Sequence, residues 1–488
     1  MDSQSDVGTR KNRYAKVMDY YPEIMKFKDR GDSETMVENI AVIGCGASGA
    51  TAALQARKLN RDVIITIFNS EKYSQYSRCG LPYTISGKVK EFDDLILMPP
   101  DNWGALKIDA KLATVVTKID HSSNELHFNG KEGEDTLNYD ALVIATGAEN
   151  ADPPIKGLDK KRVYGLRSLD DAKALAAEAD KAKKVLVVGG GLVGMEAAEA
   201  FHERGLDVTV VEFLPHILLA MVDSDMAAII EEHCTEHGLR ILTNTAAQEI
   251  LGGDSPESVV CRNRDTEEES LIEVDFVVVA TGVRPVTSLA ESIGVKIGPT
   301  RGIITDDRMM TNLENVYACG DCVEHQEYIT RTPLAGGLGT IAVRQGRVAG
   351  INAAGGDEKF PGIVGAKVTK LFGLEIASTG LTEDMAKRLN VEYVKGSIKG
   401  STKPPYFAGG KELKVKTYFD KTSGKLIGGQ LVGLEDAAMR LNVLTMGIQS
   451  GVDAVQVFDF ENCYAPAICD TWDPLVESAA AGRRRLKM

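Results

Sequence analysis

The feature that most constrains this chain is a glycine-rich turn that occurs twice, each time between an apolar strand and a helix. Glu38-Asn39-Ile40-Ala41-Val42-Ile43 reads as a buried parallel strand. It is followed by Gly44-Cys45-Gly46-Ala47-Ser48-Gly49, a helical stretch from Ala50 to Leu59, and a second apolar strand from Val63 to Phe68. The pattern returns 145 residues later: Lys184 to Val188 leads into Gly189-Gly190-Gly191-Leu192-Val193-Gly194, a helix from Met195 to Arg204 and a strand from Val208 to Val211. Each is a βαβ unit. In that context the G-x-G-x-x-G spacing has a mechanical reading: Gly44 and Gly189 permit the tight turn, Gly46 and Gly191 let a pyrophosphate approach the backbone, and Gly49 and Gly194 pack helix on strand. The pyrophosphate then meets free N–H groups at a helix N-terminus.

Two further segments repeat. Asp140 to Gly147 and Asp275 to Gly282 are apolar strands that each end in Ala-Thr-Gly, which places Thr146, Gly147 and Gly282 beside the two turns. An acidic residue about 20 positions past the glycines usually takes the ribose hydroxyls. Glu212 occupies that strand end in the second unit, and the absence of Arg or Lys between 205 and 220 favours NADH over NADPH, with NADPH still possible. In the first unit the corresponding candidates are Asn69 and Glu71. From about residue 356 short alternating strands such as Leu413 to Tyr418, and a helix around Glu435 to Gln449, point to a third, α+β domain.

Composition narrows the class. With 488 residues, 43% of them hydrophobic and 26% charged, the chain is expected to be a soluble protein of several domains. No run approaches the roughly 18 to 20 apolar residues of a membrane span, and a net charge of −14 argues against nucleic acid or an anionic membrane as partner. The first 36 residues hold no apolar signal region, and eight scattered cysteines suit a reducing compartment, so the cytoplasm is expected. The basic end Arg483-Arg484-Arg485 reads as a solvated tail. His233 and His237 stand four apart on one helix face without a third ligand, and no metal site is expected.

The order of first glycine turn, Ala-Thr-Gly, second glycine turn, second Ala-Thr-Gly and Ala318-Cys319-Gly320-Asp321 resembles the pyridine nucleotide-disulfide oxidoreductase family over nearly everything after residue 37. Ser77-Arg78-Cys79-Gly80-Leu81-Pro82-Tyr83 is similar to its single-cysteine branch of coenzyme A-disulfide reductases, NADH oxidases and NADH-dependent persulfide reductases. The resemblance implies an N-terminal extension (1–37), an FAD-binding domain (38–153 and 285–355), an NAD(P)H-binding domain (154–284) and a C-terminal dimerisation domain (356–488) of a homodimer. It implies FAD at the first turn, with Asp321 on the ribityl chain, and a nicotinamide dinucleotide at the second. The C-x-x-C of Cys319 and Cys322 is then explained by the Gly-Asp between them.

The resemblance also gives Cys79 the redox role. Where dithiol relatives carry a second cysteine five residues later, this chain has Thr84, so Cys79 is expected to cycle through a mixed disulfide or a sulfenic acid, with a thiol pKa lowered by flavin contact and nearby dipoles. Oxidase members carry a histidine in the first glycine turn, where this chain has Ala47, which favours a disulfide, persulfide or polysulfide substrate over oxygen. Arg57 and Lys58 match a basic pair that approaches coenzyme A phosphates. Tyr464 matches a tail tyrosine that reaches the partner subunit's active site; Cys463 and Cys469 flank it, as packing thiols or as an electron relay. Arg78 departs from the Asn usual before the cysteine. The expected activity is FAD-dependent NAD(P)H reduction of a small disulfide, persulfide or polysulfide. The rivals are an NADH oxidase and a non-catalytic, redox-responsive flavin-binding protein.

Overall fold

The computed structural model describes residues 37–486. Residues 1–36 of the expected N-terminal extension lie outside the described residues. The strand Asn39–Ile43 is buried along nearly its whole length, as a parallel strand covered on both faces must be. It lies at the centre of a five-stranded parallel sheet in the order Val316–Ala318, Ala141–Ile144, Asn39–Ile43, Ile64–Asn69, Ile108–Leu112. A second parallel sheet repeats the plan: Arg240–Leu242, Asp207–Val211, Lys184–Val188, Phe276–Val279 and Val163–Tyr164. Each lobe also carries a three-stranded antiparallel sheet. The third unit is a five-stranded antiparallel sheet, in which Glu412–Asp420 lies between Leu426–Gly433 and Tyr393–Ser401, flanked by helices Ala437–Ser450 and Pro474–Leu486.

Both turn helices start earlier than the apolar pattern predicts, at Ala47 and Leu192, because the third glycine of each motif already lies in the first helical turn. A Cβ on Gly49 would fall 1.9 Å from the Gly44 carbonyl oxygen, and one on Gly194 the same distance from that of Gly189. The helix Ala47–Leu59 is crossed by Gly339–Ala353 at backbone contact: Cβ atoms on Gly346 and Gly350 would meet the carbonyl oxygens of Ser48 and Ala52 at 2.2 and 2.1 Å.

Two short strands, Ala148–Asn150 and Val283–Pro285, pair antiparallel and join the lobes. Their ends are tied symmetrically. Thr146 Oγ1 donates to Val286 O at 2.6 Å and Thr281 Oγ1 to Ala151 O at 3.1 Å, while Val286 N and Ala151 N donate to Gly147 O and Gly282 O, both at 3.0 Å. The two Ala-Thr-Gly segments thus form one crossover between the lobes. The second lobe docks on the third unit through buried Asp223, which accepts from Tyr418 Oη, from Lys416 Nζ at 3.3 Å and from Glu383 N at 2.9 Å.

The basic end is not a tail. Arg483, Arg484 and Arg485 belong to the helix Pro474–Leu486, which is held on the sheet where Gly482 meets the Phe419 ring; Arg483 lies over Phe458 and Arg485 donates to Lys395 O. No helix among the described residues is long and apolar enough to cross a membrane.

Candidate active site between the lobes

The two glycine turns have the same geometry. Gly44 and Gly189 take φ of +108° and +112°, where only glycine is unstrained, and their N–H groups donate to Phe68 O and Val211 O, each at 2.8 Å. Gly46 and Gly191 cap the following helices, and a Cβ on either would meet nothing within 4 Å. That open space at two helix N-termini fits a dinucleotide pyrophosphate in each lobe.

The strand-end residues differ. Glu212 is buried and accepts from Gly190 N at 2.5 Å and Leu214 N at 2.7 Å, so its carboxylate is fixed against the loop. Asn69 holds the equivalent place in the first lobe: its Oδ1 lies 3.5 Å from Cys45 N, and its amide donates to Tyr73 O at 2.7 Å. Glu71 is held elsewhere. Its carboxylate accepts from Tyr76 Oη at 2.7 Å and from Arg78 at 2.6 Å.

Asp321 follows the strand Val316–Ala318 and forms an ion pair of 2.9 Å with Arg167, whose Nε donates to Ala148 O at 3.1 Å. Gly320, at φ +87°, donates to Gln345 Oε1, and Gly337 leaves room for the Asp321 carboxylate, which a Cβ there would strike at 2.4 Å. Cys319 and Cys322 are buried, and burial pushes both thiols up; Cys322 Sγ lies 3.4 Å from Cys319 O. Among the described residues no group of three or more His, Cys, Asp or Glu side chains is arranged to hold a metal ion.

Cys79 lies in a single 3₁₀ turn, Arg78–Gly80, which runs into the helix Leu81–Ile85. Its approach segment is fastened from several sides. Ser74 accepts from the buried Trp103 indole at 2.7 Å, Leu97 N donates to Gln75 O, and Ser77 N donates to Leu95 O. Arg78 donates to Tyr76 Oη at 2.7 Å and to Arg167 O at 2.6 Å, and its guanidinium lies over the Tyr76 ring. Thr84, where a second cysteine would stand, is buried and donates to Leu81 O at 2.8 Å. The helix Leu81–Ile85 then contacts the second lobe, where Arg204 donates to Ile85 O at 2.8 Å.

Cys79 is exposed, and the protein groups around it raise its pKa. Desolvation by the surrounding protein is the largest cause; the charges of Glu196 and Asp321 add to it, and Arg167 opposes them. The charges that disfavour the thiolate thus come from one carboxylate of each lobe. Glu196 accepts from Thr369 Oγ1 at 2.7 Å, and burial raises its own pKa.

The remaining candidates lie apart. Arg57 donates to four carbonyls, those of Leu106, Asn60, Arg61 and Lys107, at 2.7 to 3.3 Å. It ties a helix end to the next segment, and Lys58 follows it, exposed. Tyr464 is exposed on the third unit and shares a hydrogen bond of 2.5 Å with Tyr406 Oη. Arg167 and Glu196, whose charges act on the Cys79 thiol, and Tyr406, bonded to Tyr464, are residues that sequence reasoning did not single out. Only Glu196 carries a local signal, two residues past the third glycine of its turn.

Two dinucleotide lobes meeting at one exposed cysteine define a flavin- and nicotinamide-dependent oxidoreductase. The chain belongs to the pyridine nucleotide-disulphide oxidoreductase family, whose model matches residues 38–346, with the family's dimerisation domain matching 367–474. The family uses FAD and NAD(P)H. Among curated relatives, a protein of Methanocaldococcus jannaschii named NADH oxidase is 38% identical, covering 91% of this chain and 98% of its own. An NAD(P)H coenzyme A polysulfide/persulfide reductase of Pyrococcus horikoshii is 33% identical over the same shares. A solved NAD-dependent persulfide reductase from A. fulgidus superposes with a TM-score of 0.88 at 36% identity, covering 92% of this chain and 83% of that one.

Proposed function

We propose that this enzyme reduces a low-molecular-weight disulfide, persulfide or polysulfide, with coenzyme A disulfide or its persulfide as the first candidates, through Cys79. The observation that carries this reading is a single exposed thiol at the junction of the lobes, with the buried, hydrogen-bonded Thr84 at the position of a second cysteine. A lone thiol must pair with a small partner thiol to cycle. The relatives named for persulfide and polysulfide reduction support the same substrate class.

In this reading Gly44, Gly46 and Gly49 cradle the FAD pyrophosphate, Asn69 takes the ribose in place of Glu71, and Asp321, Thr146 and Gly147 line the flavin side. Gly189, Gly191, Gly194 and Gly282 serve the nicotinamide dinucleotide, with Glu212 on its ribose and NADH preferred. Bound FAD supplies the two-electron exchange between nicotinamide and sulfur. Arg78, held by Glu71, fixes the turn from which the Cys79 thiolate attacks the outer sulfur of the substrate. Arg167 offsets the two carboxylates that disfavour that thiolate.

The enzyme works as a homodimer, and Tyr464 of the partner subunit protonates the leaving thiolate. In support, Met439, Val443 and Met446 lie on one face of the helix Ala437–Ser450 and are all exposed, an apolar stripe that a second copy would cover. Lys58, and not Arg57, faces the coenzyme A phosphates. The cytoplasm is the compartment that fits eight free cysteines.

A second reading, reduction of oxygen, is favoured by the name of the Methanocaldococcus jannaschii relative. Stopped-flow mixing of NADH-reduced enzyme with coenzyme A disulfide, polysulfide and oxygen in parallel separates the two. Flavin reoxidation faster with a sulfur substrate supports the first, and faster reoxidation by oxygen than by any sulfur compound contradicts it.

A further inference from the structure

Five of the eight cysteines are buried; the other three are Cys79, Cys463 and Cys469. The last two stand six residues apart on the turn that carries Tyr464, and the turn is built to keep them together. Ile468 N and Cys469 N both donate to Ala465 O at 2.8 Å, and Ala465 pairs with Cys469 in an antiparallel bridge. The Asn462 amide ties the stem, donating to Cys463 O at 3.1 Å and to Asp470 O at 3.2 Å. Across this stem Cys469 Sγ lies 3.0 Å from the carbonyl oxygen of Cys463. The Cys469 thiol thus lies against the main chain of the other cysteine, six residues before it, on the same turn. Neither thiol fills the core: Cys463 is exposed and Cys469 partly so.

We propose that Cys463 and Cys469 are a second redox centre, a dithiol that closes to a disulfide within its own turn. The Cys463 thiolate attacks a substrate disulfide RS–SR, forming Cys463–S–S–R and releasing one RS⁻. The Cys469 thiolate then attacks the Cys463 sulfur and expels the second RS⁻. Two protein thiols are oxidised and one disulfide is reduced to two thiols, a balanced two-electron exchange. For its return to the dithiol, the couple rests on the reading of Cys79 given above. The Cys79 thiolate opens the Cys463–Cys469 disulfide, and the resulting mixed disulfide takes the electron pair that the enzyme draws from NAD(P)H, which restores all three thiols. The couple extends the reaction to disulfides too bulky to reach a thiol between the lobes.

The test uses the holoenzyme. After treatment with excess coenzyme A disulfide under argon, acid quenching and alkylation, peptide mass spectrometry is expected to find the 463–469 segment lighter by two hydrogens. The Cys469→Ser variant, unable to resolve, is expected to retain coenzyme A on Cys463. Added NADH should restore both thiols in the native protein and not in Cys79→Ser. Anaerobic titration of the oxidised enzyme should consume three equivalents of NADH per subunit, one each for flavin, Cys79 and the couple, falling by a third in Cys463→Ser/Cys469→Ser. Full alkylation of both cysteines after disulfide treatment, or equal NADH uptake by the native and doubly substituted proteins, would overturn the proposal. A loop disulfide that forms in an enzyme whose Cys79 never exchanges with substrate would contradict the reading of Cys79 and leave the loop couple standing.

Discussion

Arg78, one residue before Cys79, donates to the Glu71 carboxylate at 2.6 Å. The same guanidinium reaches the Arg167 carbonyl, so the turn bearing Cys79 is fixed to both the first lobe and the segment entering the second.

Loosening that anchor should cost reactivity more than cofactor retention. Glu71→Gln keeps the shape of the side chain and removes its charge; a partly buried charged hydrogen bond is worth about 1.5–3 kcal/mol. The sulfur half-reaction is expected to slow by about tenfold or more, since each 1.4 kcal/mol is a factor of ten, while the FAD-to-protein ratio is unchanged. Stopped-flow rates and absorbance of the purified variant check both.

Glu212 accepts two backbone N–H groups, and in the proposed reading its carboxylate takes the ribose. Glu212→Ala should raise KM for NADH by about tenfold or more, the loss of one or two hydrogen bonds to a charged group. It should also shift the kcat/KM ratio of NADPH to NADH upward, because a carboxylate repels a 2′-phosphate. An unchanged ratio would remove Glu212 from the site.

The first glycine turn tolerates no side chain at its third glycine. Gly49→Ala would place a methyl group 1.9 Å from the Gly44 carbonyl oxygen, so the helix must shift. The purified variant should lack flavin absorbance while its second lobe still binds NADH, as measured by calorimetry.

The thiol of Cys79 is pushed up by desolvation and then by Glu196 and Asp321. Stability present with the thiol protonated is therefore lost as pH rises past the ordinary thiol pKa, where the unfolded chain ionises first. Alkylation of flavin-free protein at Cys79 should increase with pH through a midpoint above that of a free thiol. Glu196→Gln should lower that midpoint and Arg167→Ala should raise it; iodoacetamide kinetics followed by mass spectrometry give the order.

How much of this was legible in the sequence follows from distance along the chain. The glycine turns were readable because their constraints act within one βαβ unit, whereas the Ala-Thr-Gly segments repeat legibly but make their contacts across 130 and 140 residues. Asn69 and Glu71 could not be separated, since the difference lies in where Arg78 and Tyr76 fold back. Arg57 read as half of a basic pair for coenzyme A phosphates, yet its carbonyl partners include residues 49 and 50 positions away. Arg167 meets Asp321 across 154 residues, and no local pattern announces such a pair. The arginine-rich end read as a tail because the contact that holds the last turn of its helix, Gly482 on Phe419, involves a glycine and no apolar side chain of that turn.

The central claim, that Cys79 alone carries electrons from the flavin site to sulfur, is tested most directly by stopped-flow reoxidation of NADH-reduced Cys79→Ser by coenzyme A disulfide. The variant should be reduced by NADH at close to the native rate and then reoxidised by the disulfide at least about a thousandfold more slowly, since a nucleophile is lost outright. Reoxidation within a few-fold of the native rate would contradict the account.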